Sequence, residues 1–145
     1  MIIKTFDELT TTELYQIIHL REKVFVVEQK CYYLDADNND QESWHLLYYS
    51  NNTLAAYLRI LPPNTTYKQP SIGRVVVDKP FRKNNVAREI MTEAIKFIDD
   101  KYKNQEIKIG AQTYLNSFYK SLGFVNEGDE YLEDGIPHIH MILEL

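Results

Sequence analysis

The most constraining stretch of the sequence lies near its middle, where a strand pattern changes to a helix pattern and back. Residues 75–77 are three consecutive valines, and Pro80 interrupts that run. From about residue 84 to 102, apolar residues recur every four positions, at Val86, Ile90, Ala94 and Ile98. That period is typical of an amphipathic helix. A short apolar strand follows at 107–110, so the order predicts a right-handed crossover between parallel strands.

The segments before this crossover predict a helix and a hairpin. Residues 1–6 fit a short strand. Thr10 and Glu13 form a capping-box pattern, which predicts the start of a helix from about 11 to 28. Strands are predicted at 44–49 and 53–61, joined by Ser50-Asn51-Asn52, because asparagine tolerates the positive φ of a tight turn.

The remaining elements complete the predicted fold. A strand is expected at 71–78, with Gly73 marking a bulge or a close backbone approach. A helix ended by Gly123 follows, and strands at 124–131 and 138–145 close the chain. The order β-α-β-β-β-α-β-α-β-β predicts an α/β layered fold. We expect a mixed, mostly antiparallel sheet with a central β-α-β crossover and helices flanking it.

Composition bounds the class of protein. The chain has 145 residues, which predicts a single domain over 1–145. A net charge of −5 argues against general binding to nucleic acid. No apolar run is long enough for a membrane span, and no signal peptide is visible at the start. The single cysteine, Cys31, allows no internal disulfide, which suits the cytoplasm.

Two further patterns are weak. The acidic stretch 35–43 lacks the glycine and the glutamate of a calcium-binding loop, so we expect a solvated loop or a surface that attracts a cationic amine. His138 and His140 share one strand face, but no Cys or Asp pattern accompanies them. We therefore predict no metal site.

The loop between the three valines and the helix is basic and rich in asparagine. The first turn of a helix exposes unpaired N–H groups and the positive end of the helix dipole. A strand that runs into such a turn can direct those donors at a phosphate. Residues 83–87 would supply the donors, and Arg82, Lys83 and Arg88 would add charge. An ordinary solvated turn is the alternative, since both the P-loop and the G-x-G-x-x-G motifs are missing.

The loop and four further stretches resemble a known family. Arg82-Lys83-Asn84-Asn85-Val86-Ala87 is similar to the motif [QR]-x-x-G-x-[GA], with Asn85 at the glycine position. Asparagine is the next residue most able to adopt the left-handed conformation. VFVVEQKCYYLDAD, IGRVVV, GAQTYLNSFYKSLGF and EDGIPHIHM are spread over 24–141. Together they resemble the ElaA-like branch of the GNAT superfamily of acyl-CoA-dependent N-acyltransferases.

The resemblance implies acetyl-CoA as cosubstrate, bound where the strand at 71–78 splays from the strand at 106–111. Strand backbone would bind the pantetheine arm, and the loop would bind the pyrophosphate. A backbone N–H at the bulge around 73–75 would stabilise the developing oxyanion. The implied binding residues are Val75, Val76, Val77, Arg82, Lys83, Asn84, Asn85, Val86, Ala87, Arg88, Asn116 and Tyr119.

The resemblance also implies direct attack of an amine on the thioester. Tyr119 is the predicted proton donor to the leaving thiolate, on a helix whose Leu115, Phe118 and Leu122 should fill the core. The general base stays open among three residues: Glu28, His138 and His45.

The predicted function is therefore an N-acetyltransferase for a primary amine of a small molecule or peptide. It would act as a monomer or a homodimer. A non-catalytic CoA-binding sensor or interaction module is the alternative.

Overall fold

The computed structural model describes residues 1–103 and 105–145, and arranges them as two antiparallel sheets. The first sheet has the order β1-β2-β3-β4, from Ile2–Thr5, Trp44–Ser50, Thr53–Leu61 and Ser71–Val77. The second has the order β5-β7-β6, in which β5 is Glu106–Gln112, β6 is Val125–Glu133 and β7 is Ile136–Glu144. The helices are α1 (Thr11–Arg21), which continues as a π-helical segment over Glu22–Glu28, α2 (Val86–Lys101) and α3 (Asn116–Ser121).

The predicted crossover is present, but the sheet is not continuous across it. Strands β4 and β5 lie side by side, and the Lys108 N–H donates to the Pro70 carbonyl at 3.1 Å where both strands begin. Beyond that bond no ladder joins the two strands in the described ranges. The expected mixed sheet is thus two antiparallel sheets with a splayed junction between β4 and β5.

Helix α2 holds the two sheets together. Its buried face, which includes Ile90, Ala94 and Ile98, belongs to one apolar cluster with residues of both sheets, such as Leu58 and Ile109. Each fully buried aliphatic side chain of this kind contributes about 1.5–3 kcal/mol. On the opposite face of the first sheet, α1 packs through a second cluster. Packed helices on both faces of the first sheet therefore support the splayed junction.

Local signals in the sequence are confirmed by the backbone. Thr10 Oγ1 accepts from the Glu13 N–H at 3.1 Å, and Glu13 Oε1 accepts from the Thr10 N–H at 2.8 Å. Asn51 and Asn52 both have positive φ, 49° and 64°, in the hairpin turn. Gly123 follows α3 with a φ of 103°. Each feature depends on a few neighbouring residues, which is why the sequence predicts it.

The bulge in β4 is present but its strain is at a different residue. Arg74 and Val75 lie opposite a single residue of β3, Leu58. Arg74 has a φ of 52°, in the left-handed region, whereas the φ of Gly73 lies outside that region. The sequence therefore predicts the bulge correctly, while the left-handed residue is an arginine.

None of the helices in the described part of the chain is long and apolar enough to cross a bilayer.

Candidate active site

A cavity of about 790 Å³ opens where β4 and β5 separate. Its walls come from these two strands, from α3, and from the segment between α1 and β2. A second cavity of about 280 Å³ lies at the start of α2. The two share Val77, Arg82, Ala87 and Phe118, so they form one groove. A volume in this range suits a small-molecule or cofactor site.

The cavity side of β4 has free backbone groups. The Asp78 N–H donates to the Ala55 carbonyl at 2.8 Å, so the backbone groups of Asp78 point towards β3. Hydrogen-bonding direction alternates along an antiparallel strand. Val76 therefore faces β3, while Val77 and Val75 direct their N–H and C=O groups to the open edge.

Val76 was predicted to bind the cofactor with its two neighbours, and it lines the larger cavity with them, but its backbone groups are not free. Its backbone pairs with Tyr57 of β3, and its side chain is buried against α1. Because hydrogen-bonding direction alternates along β4, the N–H and C=O groups of Val76 point to β3 and not into the cavity.

The start of α2 has the geometry that the sequence predicts. Asn85 is the N-cap residue with φ 60° and ψ 16°, which is the left-handed conformation, and its side chain makes no capping bond. Lys83 also has a positive φ, 70°. The first helical bond runs from the Glu89 N–H to the Asn85 carbonyl at 3.0 Å. The N–H groups of the first turn, on Val86, Ala87 and Arg88, are thus not used by a cap and lie beside the second cavity.

Arg82 is held beside this helix start by Glu28. Its Nη1 and Nη2 atoms lie 2.7 and 3.0 Å from the two carboxylate oxygens of Glu28. Its Nε donates to the Val77 carbonyl at 2.9 Å. The hydrogen bonds from Arg82 lower the pKa of Glu28. Since a lower pKa makes a weaker proton acceptor, this geometry disfavours Glu28 as the general base.

Three other residues that were predicted to bind the cofactor have side chains that are bound elsewhere or exposed. Arg88 reaches α3, where its Nη2 donates to Ser121 Oγ at 2.8 Å and its guanidinium lies over the Phe118 ring. Asn84 is exposed and lines neither cavity. Asn116 also lines neither, because its Nδ2 donates to Asn126 Oδ1 of β6 at 2.7 Å. Asn116 therefore ties α3 to the second sheet.

Tyr119 lies at the bottom of the groove. It is 7% exposed, lines the larger cavity, and packs edge-on against the rings of Phe118 and Phe124. Burial raises the pKa of Tyr119 to about 12. Its hydroxyl therefore stays protonated at neutral pH. The expected division of α3 holds in part. Tyr119 lines the cavity but also belongs to the buried cluster, whereas Leu115, Phe118 and Leu122 pack against that cluster while half-buried.

His138 has an orientation suited to a proton acceptor. Its Nδ1 lies 2.7 Å from the Ile136 carbonyl. A carbonyl only accepts, so Nδ1 carries the proton and Nε2 carries the lone pair. Nε2 is 3.4 Å from a carboxylate oxygen of Glu133, and both side chains line the larger cavity. Glu133 was not singled out from the sequence.

His45 lies away from the groove. Its Nδ1 is 2.6 Å from the Tyr57 hydroxyl and its Nε2 is 2.8 Å from the Asp40 carbonyl. Burial lowers the pKa of His45, and it lines neither cavity. The two hydrogen bonds and full burial are those of a structural histidine, so His45 is excluded as the base by its position.

The acidic stretch 35–43 is the largest departure from the sequence prediction. Asp35 and Asp40 are each only 7% exposed. The fully buried guanidinium of Arg21 binds both, at 2.6 and 2.7 Å. Arg59 binds Asp40 at 2.9 Å and Asp37 at 2.7 Å. The prediction of a solvated loop is therefore wrong, because buried arginines of α1 and β3 hold its carboxylates inside.

The arginine–aspartate pairs keep the carboxyl groups of Asp37 and Asp40 ionised. Burial alone would raise the pKa of Asp37, but the hydrogen bonds and charge of Arg59 outweigh it, so the pKa is well below its ordinary value. Arg21 lowers the pKa of Asp40 against burial in the same way. The carboxylates stay ionised and paired.

Within 1–103 and 105–145, no group of three or more His, Cys, Asp or Glu side chains is placed to hold a metal ion.

Known proteins resemble this chain over nearly its whole length. A family model described as an acetyltransferase (GNAT) domain matches residues 9–145. A UPF0039 protein of Synechocystis sp. is 41% identical over 141 residues, which are 97% of this chain and 92% of the relative.

Two solved structures share the fold closely. An acyl-CoA N-acyltransferase from Pseudomonas aeruginosa has a TM-score of 0.92 and 37% identity, and the match covers 98% of this chain and 97% of that one. Escherichia coli ElaA has a TM-score of 0.92 and 36% identity, over 99% and 97% of the two chains.

Proposed function

The chain belongs to the GNAT acetyltransferase family, in the branch of Escherichia coli ElaA, and on that basis we propose that it acetylates a primary amine with acetyl-CoA. Membership confirms the resemblance and the α/β fold that the sequence predicts, and it supports an acyltransferase. The acetyl donor, the amine acceptor and the residue roles below are the proposal.

The observation that supports a CoA-type donor best is the continuous groove along the open edge of β4 to the start of α2. Pantetheine carries amide groups, which can pair with a free strand edge as an added strand would. Val75 has the backbone groups for this pairing and Val77 has an N–H, whereas the Val77 carbonyl accepts from Arg82 Nε. Pyrophosphate suits the uncapped first turn of α2, where Arg82 and Lys83 add positive charge.

The residues of the groove suit transfer by direct attack. Acetyl-CoA supplies an activated acyl group as a thioester. The amine nitrogen forms a bond to the acyl carbon, the carbon–sulfur bond breaks, and the sulfur leaves as a thiolate. Tyr119 donates its hydroxyl proton to that thiolate and regains one from solvent. A tyrosine that stays protonated at neutral pH can act in this way.

His138 is the better-placed base of the three that the sequence leaves open. Its Nε2 lone pair lies in the cavity wall, while its Nδ1–H is fixed by the Ile136 carbonyl. The amine proton passes to Nε2, and Glu133 stabilises the imidazolium that forms. Glu28 instead orients Arg82 at the phosphate end.

Calorimetric titration with CoA and acetyl-CoA tests the donor site. A free-thiol release assay then tests transfer, with spermidine, kanamycin, free amino acids and lysine peptides as acceptors. We expect binding of both nucleotides, and thiol release that depends on at least one amine. Binding without thiol release on any amine would favour the CoA-binding module. No binding of either nucleotide would refute both functions.

His138→Gln tests the base, and His19→Gln is a matched control on an exposed face of α1. The His138 variant should lose activity by about 100-fold or more at neutral pH, and the acidic limb of its pH–rate profile should disappear. The control should keep the wild-type profile. An unchanged acidic limb in His138→Gln would assign the base elsewhere.

A further inference from the structure

The bulge in β4 places a strained conformation on an arginine although a glycine stands beside it. Arg74 has a φ of 52°. Gly73 has no positive φ, and an added Cβ would meet only ordinary contacts, at 3.7 Å from Leu61 and 3.8 Å from Arg59. Glycine adopts positive φ far more easily than a residue with a Cβ. The side chain of Arg74 must therefore offset the strain.

That side chain is bound on several sides by the acidic loop. Arg74 Nε lies 2.8 Å from Asp35 Oδ1, and Nη2 donates to the Asp35 carbonyl at 2.9 Å. Nη2 also lies 3.3 Å from Asp37 Oδ2. The guanidinium lies over the Tyr33 ring, with CZ 5.9 Å from its centre. Both hydrogen bonds come from Nη2, while Nε meets Asp35 as an ion pair without a hydrogen bond. The extended fork of the guanidinium can reach these partners together, whereas lysine offers only a point charge.

The partners of Arg74 are themselves fixed. Asp35 is held by the fully buried Arg21 and by the Tyr33 hydroxyl, at 2.6 and 2.9 Å. Asp37 is held by Arg59, which is 4% exposed. We call this set of contacts between Arg74 and the residues Tyr33, Asp35 and Asp37 the clamp. It links the bulge to α1 and β3. Rigid support of this kind is what a catalytic geometry requires.

We propose that Arg74 is a positioning residue: held by Asp35 and Asp37, it fixes the bulge so that the Val75 N–H faces the thioester carbonyl. This inference rests on the proposed function, because it assumes an acyl-CoA in the groove. The alternation of β4 supports the direction, since Val76 faces β3 and Val75 faces the open edge. An N–H held at that place stabilises charge that develops on the carbonyl oxygen.

Three substitutions separate the side chain from the backbone. Arg74→Gly removes the clamp but permits the left-handed conformation, and Arg74→Ala removes the clamp and keeps the strain. Arg74→Lys keeps a charge but loses the fork, and it serves if the smaller variants do not fold. Lys68→Gly is the matched control, because Lys68 is an exposed basic residue that lines neither cavity. Folding is checked by thermal unfolding and by CoA affinity.

The first readout is catalytic. Misplacing a reacting group by about 1 Å can cost about 100-fold in rate. We expect Arg74→Gly to lower kcat by about 10- to 100-fold on spermidine, or on the fastest amine of the panel above. Arg74→Ala should lose more, and CoA affinity should stay within about threefold in both. Wild-type kcat in Arg74→Gly, or an equal loss in Lys68→Gly, would overturn the proposal.

The second readout needs no acceptor. Acetyl-CoA labelled with ¹³C at the thioester carbonyl is bound to each variant, and the carbonyl stretch is recorded by infrared difference spectroscopy. A hydrogen bond from Val75 should lower the stretching frequency in wild type and in Lys68→Gly. In Arg74→Gly and Arg74→Lys the frequency should return towards its value in solution. An unshifted band in bound wild type would overturn the proposal.

Thiol release and the carbonyl stretch together distinguish a failure of the proposed acetyl transfer from a failure of the positioning role of Arg74. A shifted band in wild type, lost in Arg74→Gly, with no thiol release on any amine, would refute the proposed transfer and support the positioning role. Amine-dependent release with an unshifted band would support transfer and refute the positioning role.

Discussion

Replacement of Asn85 tests whether the start of α2 is built to bind pyrophosphate with its backbone. Asn85 has φ 60° and ψ 16°. A left-handed conformation costs an L-residue about 1–2 kcal/mol, although asparagine tolerates it better than most. Asn85→Gly removes that strain. It also makes the unfolded chain more flexible, which costs about 0.4–1 kcal/mol. The two effects oppose each other, so Tm should change by only a few degrees.

Affinity for CoA follows a different rule from stability. A strain present in both the free and the bound loop cancels from the binding free energy. The chain already adopts the left-handed turn by itself, so Asn85→Gly should bind CoA within about twofold of wild type. In Asn85→Ala the free loop can relax, and binding must restore the strain. A strain of about 1–2 kcal/mol would then weaken affinity by up to about 30-fold.

Calorimetric titration of CoA into the two variants measures these effects. Asn84→Gly is the matched control, because residue 84 is exposed and has no positive φ. It adds flexibility without relieving strain, so a slight loss of affinity is expected. A loss of more than about tenfold in Asn85→Gly would refute the reasoning. The Asn85 side chain would then be a ligand in its own right.

The remaining predictions concern the acid, the ion network and pH. Tyr119→Phe should lower kcat of thiol release by about 100-fold or more with little change in KM for acetyl-CoA; an unchanged kcat would exclude it as the acid. Arg21→Met removes one of the two arginine partners of Asp35 and of Asp40, and should lower the free energy of unfolding by about 1.5–3 kcal/mol in urea titrations; a loss below about 1 kcal/mol would contradict the network. Burial lowers the pKa of His45 below 6.5, so the unfolded chain binds the proton first, and stability should fall as pH drops below 6.5. Urea titrations at several pH values should show this slope in wild type and not in His45→Gln.

The parts of the fold that could be predicted from the sequence are those set by neighbouring residues. The period of α2, the capping box at Thr10 and the two-asparagine hairpin turn all depend on a few adjacent positions. The left-handed conformation of Asn85 is also local, because it follows from the residue type and its place between strand and helix. The resemblance then placed these parts around one groove.

Long-range pairs were beyond the sequence prediction. Nothing local shows that Asp35 meets Arg21 and Arg74, or that Asn116 turns to Asn126 of β6. One signal was available. Arg59 interrupts an apolar strand from Leu54 to Leu61, and a buried guanidinium requires a carboxylate. The nearest unexplained group of carboxylates in the sequence was the acidic stretch 35–43.

The depth at which Tyr119 is buried does not follow from the spacing of Leu115, Phe118 and Leu122. Helix α3 has only six residues and follows a 3-10 turn over Thr113–Leu115. In so short a helix, Phe118 and Tyr119 both line the groove and both contact the core cluster.

The ion network is difficult to explain by stability alone. Buried ion pairs are often no more stabilising than apolar residues of similar volume. Here three aspartates and three arginines join α1, the acidic loop, β3 and β4. Asp35 and Asp37 connect this network to the bulge at Arg74. The proposed role of Arg74 in fixing the bulge would account for that connection.

The same charge balance changes the expected behaviour of the acidic loop towards substrate. Its three arginine-bound carboxylates, on Asp35, Asp37 and Asp40, are matched by three guanidinium groups. A neutral set of paired charges exerts little field at a distance. We therefore expect this loop to attract a cationic amine less than its sequence alone suggests. Glu133, whose side chain is 61% exposed and lies 3.4 Å from His138 Nε2, is better placed to do so.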